Sequence, residues 1–218
     1  MIKSTSPLCA LVVTLCCTVM AISVARAEAS VKYVEGQHYV VLDTPLPTLD
    51  KNKIEVVEFF WYGCIHCYHF EPALRSWQAK QTDDVVLIGS PVAWNKVAQV
   101  HAKAYYSAQV LGVLDKVNGP LFAALNTSPP SKLNDEDALA KFFAQYGVAE
   151  ADFRKAFNSF GVNSLVRQAD ARVRSAQVDG TPSLLVNGKY RVTGKLAGSL
   201  DQMLNVADFL VEKERSGS

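Results

Sequence analysis

The sequence predicts an α/β fold in which a buried sheet is interrupted by an inserted set of helices. Short apolar segments typical of strands covered on both faces occur at residues 54–61 and 85–88. A Cys-X-X-Cys motif at the start of a helical pattern lies between them. A further strand and a hairpin follow after about 65 residues of helical pattern. These observations predict two groups of strands, with the cysteine pair beside the first group.

The chain of 218 residues begins with the pattern of a secretory signal peptide. Residues 1–27 contain no acidic residue and have Lys3 near the start, an apolar run from Leu8 to Val24 and the small-x-small sequence Ala25-Arg26-Ala27. An uncleaved membrane anchor is the alternative, because the apolar run approaches the length that crosses a bilayer. The cleavage-site pattern favours removal of the leader and export of the protein.

Removal of this leader would change both the cysteine count and the charge. Of the five cysteines, only Cys64 and Cys67 would remain, so the pair would be available for thiol–disulfide exchange. A small structural staple is the alternative, although it would close a loop too short to add much entropy. The remaining 20 basic and 21 acidic residues give a net charge of −1, and no basic stripe indicates a nucleic acid partner.

The first strand and the cysteine helix together predict a redox site. The strand at residues 54–61 leads through Gly63 into a helix whose first turn carries Cys64 and Cys67, close enough for their sulfurs to bond. Unpaired N–H groups at the helix start favour a thiolate at Cys64 and could alone lower its pKa from ~8.5 to about 7. A lower pKa requires further backbone donors or a protonated His66 beside the sulfur. The dipeptide Ile65-His66 is therefore the expected tuning element.

Glu58 is a carboxylate in the middle of the apolar strand at residues 54–61. Burial of a carboxylate is costly and should raise its pKa. Glu58 could then accept or relay a proton near Cys67. The alternative is a glutamate at a sheet end that pairs with a lysine.

The remaining segments of the first half complete a β, β, α, β order. Residues 39–42 form a short first strand, and the cysteine helix continues to Lys80 with Pro72 as an expected kink. Residues 85–88 form the next strand, which Gly89-Ser90-Pro91 should end. This order, with a Cys-X-X-Cys motif, is typical of one half of a thioredoxin-like sheet.

Helical patterns fill the middle of the chain, and we expect them to form an inserted subdomain at residues 95–164. The thioredoxin-like domain would then comprise residues 28–94 and 165–218. The predicted helices share amphipathic spacing or capping signals. They are a helix from about Lys96, a short helix opened by Asn118-Gly119-Pro120, a helix at residues 135–146 capped by Asn134, a helix with Phe153, Phe157 and Phe160 on one face, and a helix at residues 164–178.

The second half of the predicted sheet begins after Asp179-Gly180-Thr181-Pro182. A strand at residues 183–186 returns through the hairpin signal Asn187-Gly188, and a last helix covers residues 199–214. A proline that opens a strand beside a redox helix leaves the preceding backbone groups free to pair with an extended peptide. His38 and His101 are expected to be surface or capping residues.

Several motifs together resemble the DsbA family of bacterial periplasmic thiol:disulfide oxidoreductases, over nearly the whole chain that follows the leader. They are Val57-Glu58-Phe59-Phe60, Gly63-Cys64-Ile65-His66-Cys67-Tyr68, Asp115-Lys116-Val117, Phe157-Asn158-Ser159-Phe160, Gly180-Thr181-Pro182 and Val186-Asn187-Gly188-Lys189-Tyr190.

The resemblance implies a role for each cysteine and for two neighbouring side chains. Cys64 would be the exposed nucleophile and Cys67 the buried resolving cysteine of a redox disulfide. His66 would stabilise the Cys64 thiolate, and Glu58 matches the family's buried acid.

The resemblance also implies a substrate-binding edge. Pro182 matches a cis-proline that faces the disulfide, and Thr181 matches the residue whose backbone docks substrate. Ile65 departs from the family's usual Cys-Pro-His-Cys motif, and it would lie against bound substrate.

The implied activity is donation of the Cys64–Cys67 disulfide to reduced exported proteins in the periplasm. A quinone-linked membrane oxidase of the DsbB type would reoxidise the enzyme, which is expected to be a monomer without cofactor or metal. A disulfide isomerase or reductase on the same scaffold, a Cys-X-X-Cys metal carrier and a peptide-binding chaperone are the alternatives.

Overall fold

The computed structural model describes residues 33–217, so the predicted leader and its cleavage site lie outside the described residues. Strands and helices follow the predicted order. They are β1 (Val40–Val41), β2 (Ile54–Phe60), α1 (Ile65–Gln78), β3 (Val85–Pro91), α2 (Lys96–Val110), α3 (Leu114–Asn126), α4 (Glu136–Ala144), α5 (Glu150–Phe157), α6 (Phe160–Ser175), β4 (Ser183–Val186), β5 (Tyr190–Thr193), α7 (Gly194–Ala197) and α8 (Leu200–Ser216).

The strands within residues 33–217 form one five-stranded sheet in the order β1-β5-β4-β2-β3. β2 and β3 are parallel, whereas β4 pairs antiparallel with β2 and β5 antiparallel with β4. Every residue of β2 is buried, because this strand has neighbours on both edges and helices over both faces. Its carboxyl end leads into α1, so the sheet fixes where the two cysteines begin.

Apolar side chains attach helices to both faces of the sheet. Phe70, Leu74 and Trp77 of α1 pack with residues of α8 against one face, as their spacing predicts. Val173 of α6 packs with Phe59 on the opposite face. The indole Nε1 of Trp77 also donates to Asp208 of α8 at 2.6 Å. The two helices on the first face are therefore joined by apolar packing and by a hydrogen bond.

Two predicted boundaries are wrong because tertiary contacts override the local signals. β3 does not end at Gly89-Ser90-Pro91, because these residues continue the parallel ladder opposite β2. α3 begins at Leu114 rather than at Asn118, and Pro120 lies inside it. The side chain of Asn118 bonds to other parts of the fold instead of capping a helix.

Further differences concern helix starts in the middle of the chain. Asp135 rather than Asn134 caps α4, because its carboxylate accepts from the Ala138 N–H at 2.8 Å. Phe160 is 82 % exposed and does not extend the aromatic face of Phe153 and Phe157. The side chain of Ser159 caps a new helix, α6, at this point. α6 also spans the predicted boundary at residue 164, and the division into two domains stays a prediction.

His101 is a core residue, and its predicted surface position is wrong. It is 1 % exposed, and its ring stacks on Trp61. The Trp61 indole N–H donates to Nδ1 at 3.0 Å, so Nε2 carries the ring proton and donates to the Leu133 carbonyl at 3.0 Å. Both ring nitrogens are thereby satisfied inside the helical region, and burial lowers the pKa of His101.

Candidate active site

Cys64 lies at the junction of β2 and α1. A turn separates β2 from α1, and in this turn the Cys64 N–H donates to the Trp61 carbonyl at 2.9 Å. Cys64 is the N-cap of α1, and its Sγ accepts from the Cys67 N–H at 3.4 Å. Both cysteines are free thiols, with Cys64 partly buried and Cys67 fully buried. The structure therefore describes the reduced form of the pair.

The surroundings of Cys64 lower its pKa to about 5. The largest cause is a hydrogen bond from the Cys67 thiol, which partial burial opposes. The Thr181 hydroxyl and the backbone N–H groups of Cys67 and His66 lower it further. Cys64 is therefore a thiolate at neutral pH.

Cys67 has the opposite electrostatic environment. Burial raises the pKa of its thiol far above the usual range, and its hydrogen bond to Cys64 raises it further. The two sulfurs thus differ in charge as well as in exposure. This asymmetry makes Cys64 the accessible anion and Cys67 the protonated partner.

Ile65 and His66 lie on the exposed side of the first turn. Ile65 is 42 % exposed. The imidazole of His66 is also exposed. The backbone N–H of His66 helps to lower the pKa of Cys64.

The loop before β4 brings Thr181 and Pro182 against the cysteines. The peptide bond between them is cis. The carbonyl oxygen of Thr181 lies 3.4 Å from Cys64 Sγ. Contacts across more than 110 residues of sequence therefore complete the site that the cysteine helix begins.

A cleft of about 680 Å³ opens beside this loop. Its lining includes His66, Thr181 and Pro182 but neither cysteine. Leu196 and Leu200 add apolar surface. Thr181 links the cleft to the site, because its carbonyl oxygen lies 3.4 Å from Cys64 Sγ.

Glu58 is only 2 % exposed, and its Oε1 has no hydrogen-bond partner in the described part of the chain. Burial raises its pKa well above the usual range, and the nearby Glu71 raises it further. No lysine within residues 33–217 forms an ion pair with it, which argues against the alternative of a glutamate at a sheet end that pairs with a lysine. Glu58 is electrostatically close to both Cys64 and Cys67.

Sequence reasoning missed the buried groups that surround Glu58. Glu71 of α1 accepts from Arg75 Nε at 2.7 Å and from the amide of Asn118. The Tyr62 hydroxyl donates to Asn118 Oδ1 at 2.6 Å. One signal was available, since Glu71 follows the buried Cys67 by four residues and so lies on the same helix face.

Residues 33–217 contain neither a metal-binding cluster nor a membrane-spanning helix. Within residues 33–217, no group of three or more His, Cys, Asp or Glu side chains is arranged to hold a metal ion. No helix in that range is long and apolar enough to span a bilayer.

Comparisons with known proteins agree with this arrangement. A family model described as a DSBA-like thioredoxin domain matches residues 88–206. The thiol:disulfide interchange protein DsbA of Azotobacter vinelandii is 38 % identical over 181 residues, which cover 83 % of this chain and 84 % of that protein. The Pseudomonas aeruginosa protein of the same name is 37 % identical over 186 residues, which cover 85 % and 88 %.

Solved structures show the same likeness in three dimensions. The crystal structure of Pseudomonas aeruginosa DsbA superposes with a TM-score of 0.81 at 37 % identity and covers 85 % of this chain and 96 % of that chain. The oxidoreductase DsbA from Xylella fastidiosa gives a TM-score of 0.79 at 36 % identity, with 84 % and 98 % covered.

Proposed function

Because this chain belongs to the DsbA family of thiol:disulfide oxidoreductases, we propose that it oxidises exported proteins with its own Cys64–Cys67 disulfide. The contrast between the two sulfurs is the observation that carries this proposal. A stable thiolate at Cys64 stabilises the reduced enzyme, and this makes the disulfide more oxidising. A disulfide with this property passes to substrates rather than remaining on the enzyme.

Substrate binding comes first in the proposed cycle. An extended reduced peptide lies in the cleft and pairs its backbone with Thr181, next to Pro182. The exposed side chain of Ile65 provides apolar contact beside the sulfur. The reacting cysteine of the substrate is then held against Cys64.

Two exchange steps follow. The substrate thiolate attacks Cys64 Sγ, the bond to Cys67 breaks, and a mixed disulfide forms. A second substrate thiolate then attacks the substrate sulfur of this bond, and Cys64 leaves as a thiolate. Two electrons pass to the enzyme, the substrate gains one disulfide, and the proton of the second substrate thiol goes to solvent.

Glu58 supplies the proton for Cys67 in this scheme. Cys67 leaves the disulfide as an anion in a buried site that disfavours charge. The raised pKa of Glu58 keeps its carboxyl protonated and able to give up a proton there. The proton released by the first substrate thiol then replaces the one that Glu58 gave up, so Glu58 is again protonated in the reduced enzyme.

The cellular setting of the proposal follows from the leader and from the family. We expect the mature protein in the periplasm as a monomer, without cofactor or metal. A quinone-linked membrane oxidase of the DsbB type would restore the disulfide. The thioredoxin-like domain at residues 28–94 and 165–218 would carry the chemistry, and the helical insertion at 95–164 would cover it.

Cysteine variants test the assignment of roles. Oxidised wild type should convert a reduced dithiol peptide to its disulfide, whereas Cys64→Ala should not. Cys67→Ser keeps the nucleophile, so it should accumulate a mixed disulfide when offered an oxidised peptide. Peptide oxidation by Cys64→Ala at the rate of the wild type would refute the proposed function.

A further inference from the structure

Asn118 links the helical region to the buried acids beneath the cysteines. It is buried on α3, where its Nδ2 donates to Glu71 Oε1 at 2.5 Å and its Oδ1 accepts from the Tyr62 hydroxyl at 2.6 Å. A flipped amide would place Oδ1 against a carboxylate oxygen, so Glu71 fixes the orientation. Tyr62 occupies the other end of the amide and holds it in place.

The two buried carboxyl groups have unequal hydrogen-bond partners. Glu71 Oε1 receives two donors, the Arg75 guanidinium and the Asn118 amide. Glu71 Oε2 and Glu58 Oε1 have no partner in the described residues. Burial raises the pKa of Glu58, and repulsion from Glu71 raises it further, whereas Glu71 forms an ion pair with Arg75. The proton of the pair therefore lies on Glu58.

Besides the charged Arg75, two buried tyrosines lie near the pair and stay uncharged near neutral pH. Burial raises the pKa values of Tyr62 and Tyr105, both of which sense Glu58. The Tyr105 hydroxyl occupies the space that a side chain at Gly89 would need, and Gly89 is paired with Glu58 in the β2–β3 ladder. The proton of the Glu58–Glu71 pair can therefore move without a change of charge on either tyrosine.

The location of that proton matters for the cysteines. A negative charge on Glu58 disfavours the thiolate form of both Cys64 and Cys67. A proton held on Glu58 therefore favours the Cys64 thiolate.

We propose that Asn118 is a positioning residue that keeps the negative charge of the acid pair on Glu71 and the proton on Glu58, and so favours the Cys64 thiolate. Tyr62 assists by fixing the amide. The role of this arrangement in turnover rests on the proposed function. The pKa of Cys64 can nevertheless be titrated in a protein that oxidises nothing, so the two proposals fail separately.

Titration of Cys64 in reduced Asn118→Leu tests this role. Loss of the amide donor should shift the proton partly to Glu71, charge Glu58 and raise the pKa of Cys64 by about half a unit or more. Asn126→Leu is the matched control, because Asn126 lies on the same helix and bonds to the Tyr62 and Phe122 carbonyls but to neither acid. It should leave the pKa of Cys64 unchanged.

A double-mutant cycle with Glu58→Gln separates positioning from general damage to the fold. In that background Asn118→Leu should not move the pKa of Cys64, because residue 58 can no longer gain charge. Equal shifts in both backgrounds, or no shift in folded Asn118→Leu, would overturn the proposal. If Asn118→Leu does not fold, Tyr62→Phe replaces it, and an unchanged pKa in that variant would overturn the proposal as well.

Discussion

The carbonyl oxygen of Thr181 lies 3.4 Å from Cys64 Sγ, where it is placed to accept from a thiol. A thiol can donate to this carbonyl, whereas a thiolate cannot. The Thr181 hydroxyl acts in the other direction by donating to the anion. In the proposed cycle, Thr181 would offer its carbonyl to a substrate backbone N–H and its hydroxyl to the leaving Cys64 sulfur.

Thr181→Val should raise the pKa of Cys64 by up to about one unit, because it removes the hydroxyl and keeps the shape of the side chain. The disulfide should become less oxidising. Its reduction potential, measured against glutathione, should fall by about 30 mV for each ~1.4 kcal/mol by which the thiolate is destabilised. Thr127→Val is a suitable control, since its hydroxyl bonds to the Ala123 carbonyl on an exposed helix end. A Cys64 pKa that is equal in all three proteins would contradict the role given to Thr181.

Glu58→Gln should slow the first exchange step by about 10-fold or more, because glutamine cannot protonate the departing Cys67. Stopped-flow fluorescence of the oxidised enzyme with excess reduced peptide would measure that step. Glu55→Gln is the matched control. Glu55 is buried on the same strand, but its carboxylate bonds to the Leu49 and Asp50 N–H groups away from the sulfurs. Equal rates in both variants would exclude Glu58 as the proton donor.

The cysteine site was predictable in outline, because its parts are local. Spacing alone places Cys64 and Cys67 on the first turn of a helix, and the helix field accounts for a pKa near about 7. The further decrease to about 5 comes mainly from the Cys67 thiol and the Thr181 hydroxyl. The second of these groups approaches only through the tertiary fold, so no sequence pattern reveals it.

The contacts of the buried polar residues were harder to predict, because short sequence patterns indicate other roles for these residues. Asn118 before Gly119-Pro120 fits a helix opening, yet its amide binds Glu71. His101 has no partner nearby in sequence, yet Trp61 and Leu133 satisfy both of its ring nitrogens. In each case the partner is more than 30 residues away, and its position depends on how the helices pack.

Reduced protein should become more stable as the pH rises from about 5 to about 8.5. Cysteine in an unfolded chain has a pKa near ~8.5, whereas the pKa of folded Cys64 is about 5. Between these values the unfolded state holds the extra proton, so the free energy of unfolding rises by at most about 1.4 kcal/mol per pH unit. This contribution is lost as the pH falls through about 5. Urea unfolding should show it as a widening difference between wild type and Cys64→Ser, whereas parallel curves would contradict it.

Gly63→Ala should destabilise the protein by about 1–3 kcal/mol, because the site has no room for a side chain. A Cβ at Gly63 would lie 2.6 Å from Cζ2 of Trp61, and the hydrogen bond to His101 holds that indole in place. Thermal and urea unfolding would measure the loss. Gly161→Ala is the control, since its Cβ would meet only the Ser159 hydroxyl at 3.9 Å. The cost should shrink in a Trp61→Leu background, and an equal cost there would show that the indole is not the obstacle.

Titration of the reduced enzyme by the ultraviolet absorbance of its thiolate is the most direct test of the proposed chemistry. We expect one cysteine to ionise with a pKa of about 5, and the signal to be absent in Cys64→Ser. Cys67 should remain protonated throughout the neutral range, because burial disfavours its anion. An ordinary thiol pKa near ~8.5 at Cys64 would contradict the account of a disulfide donor.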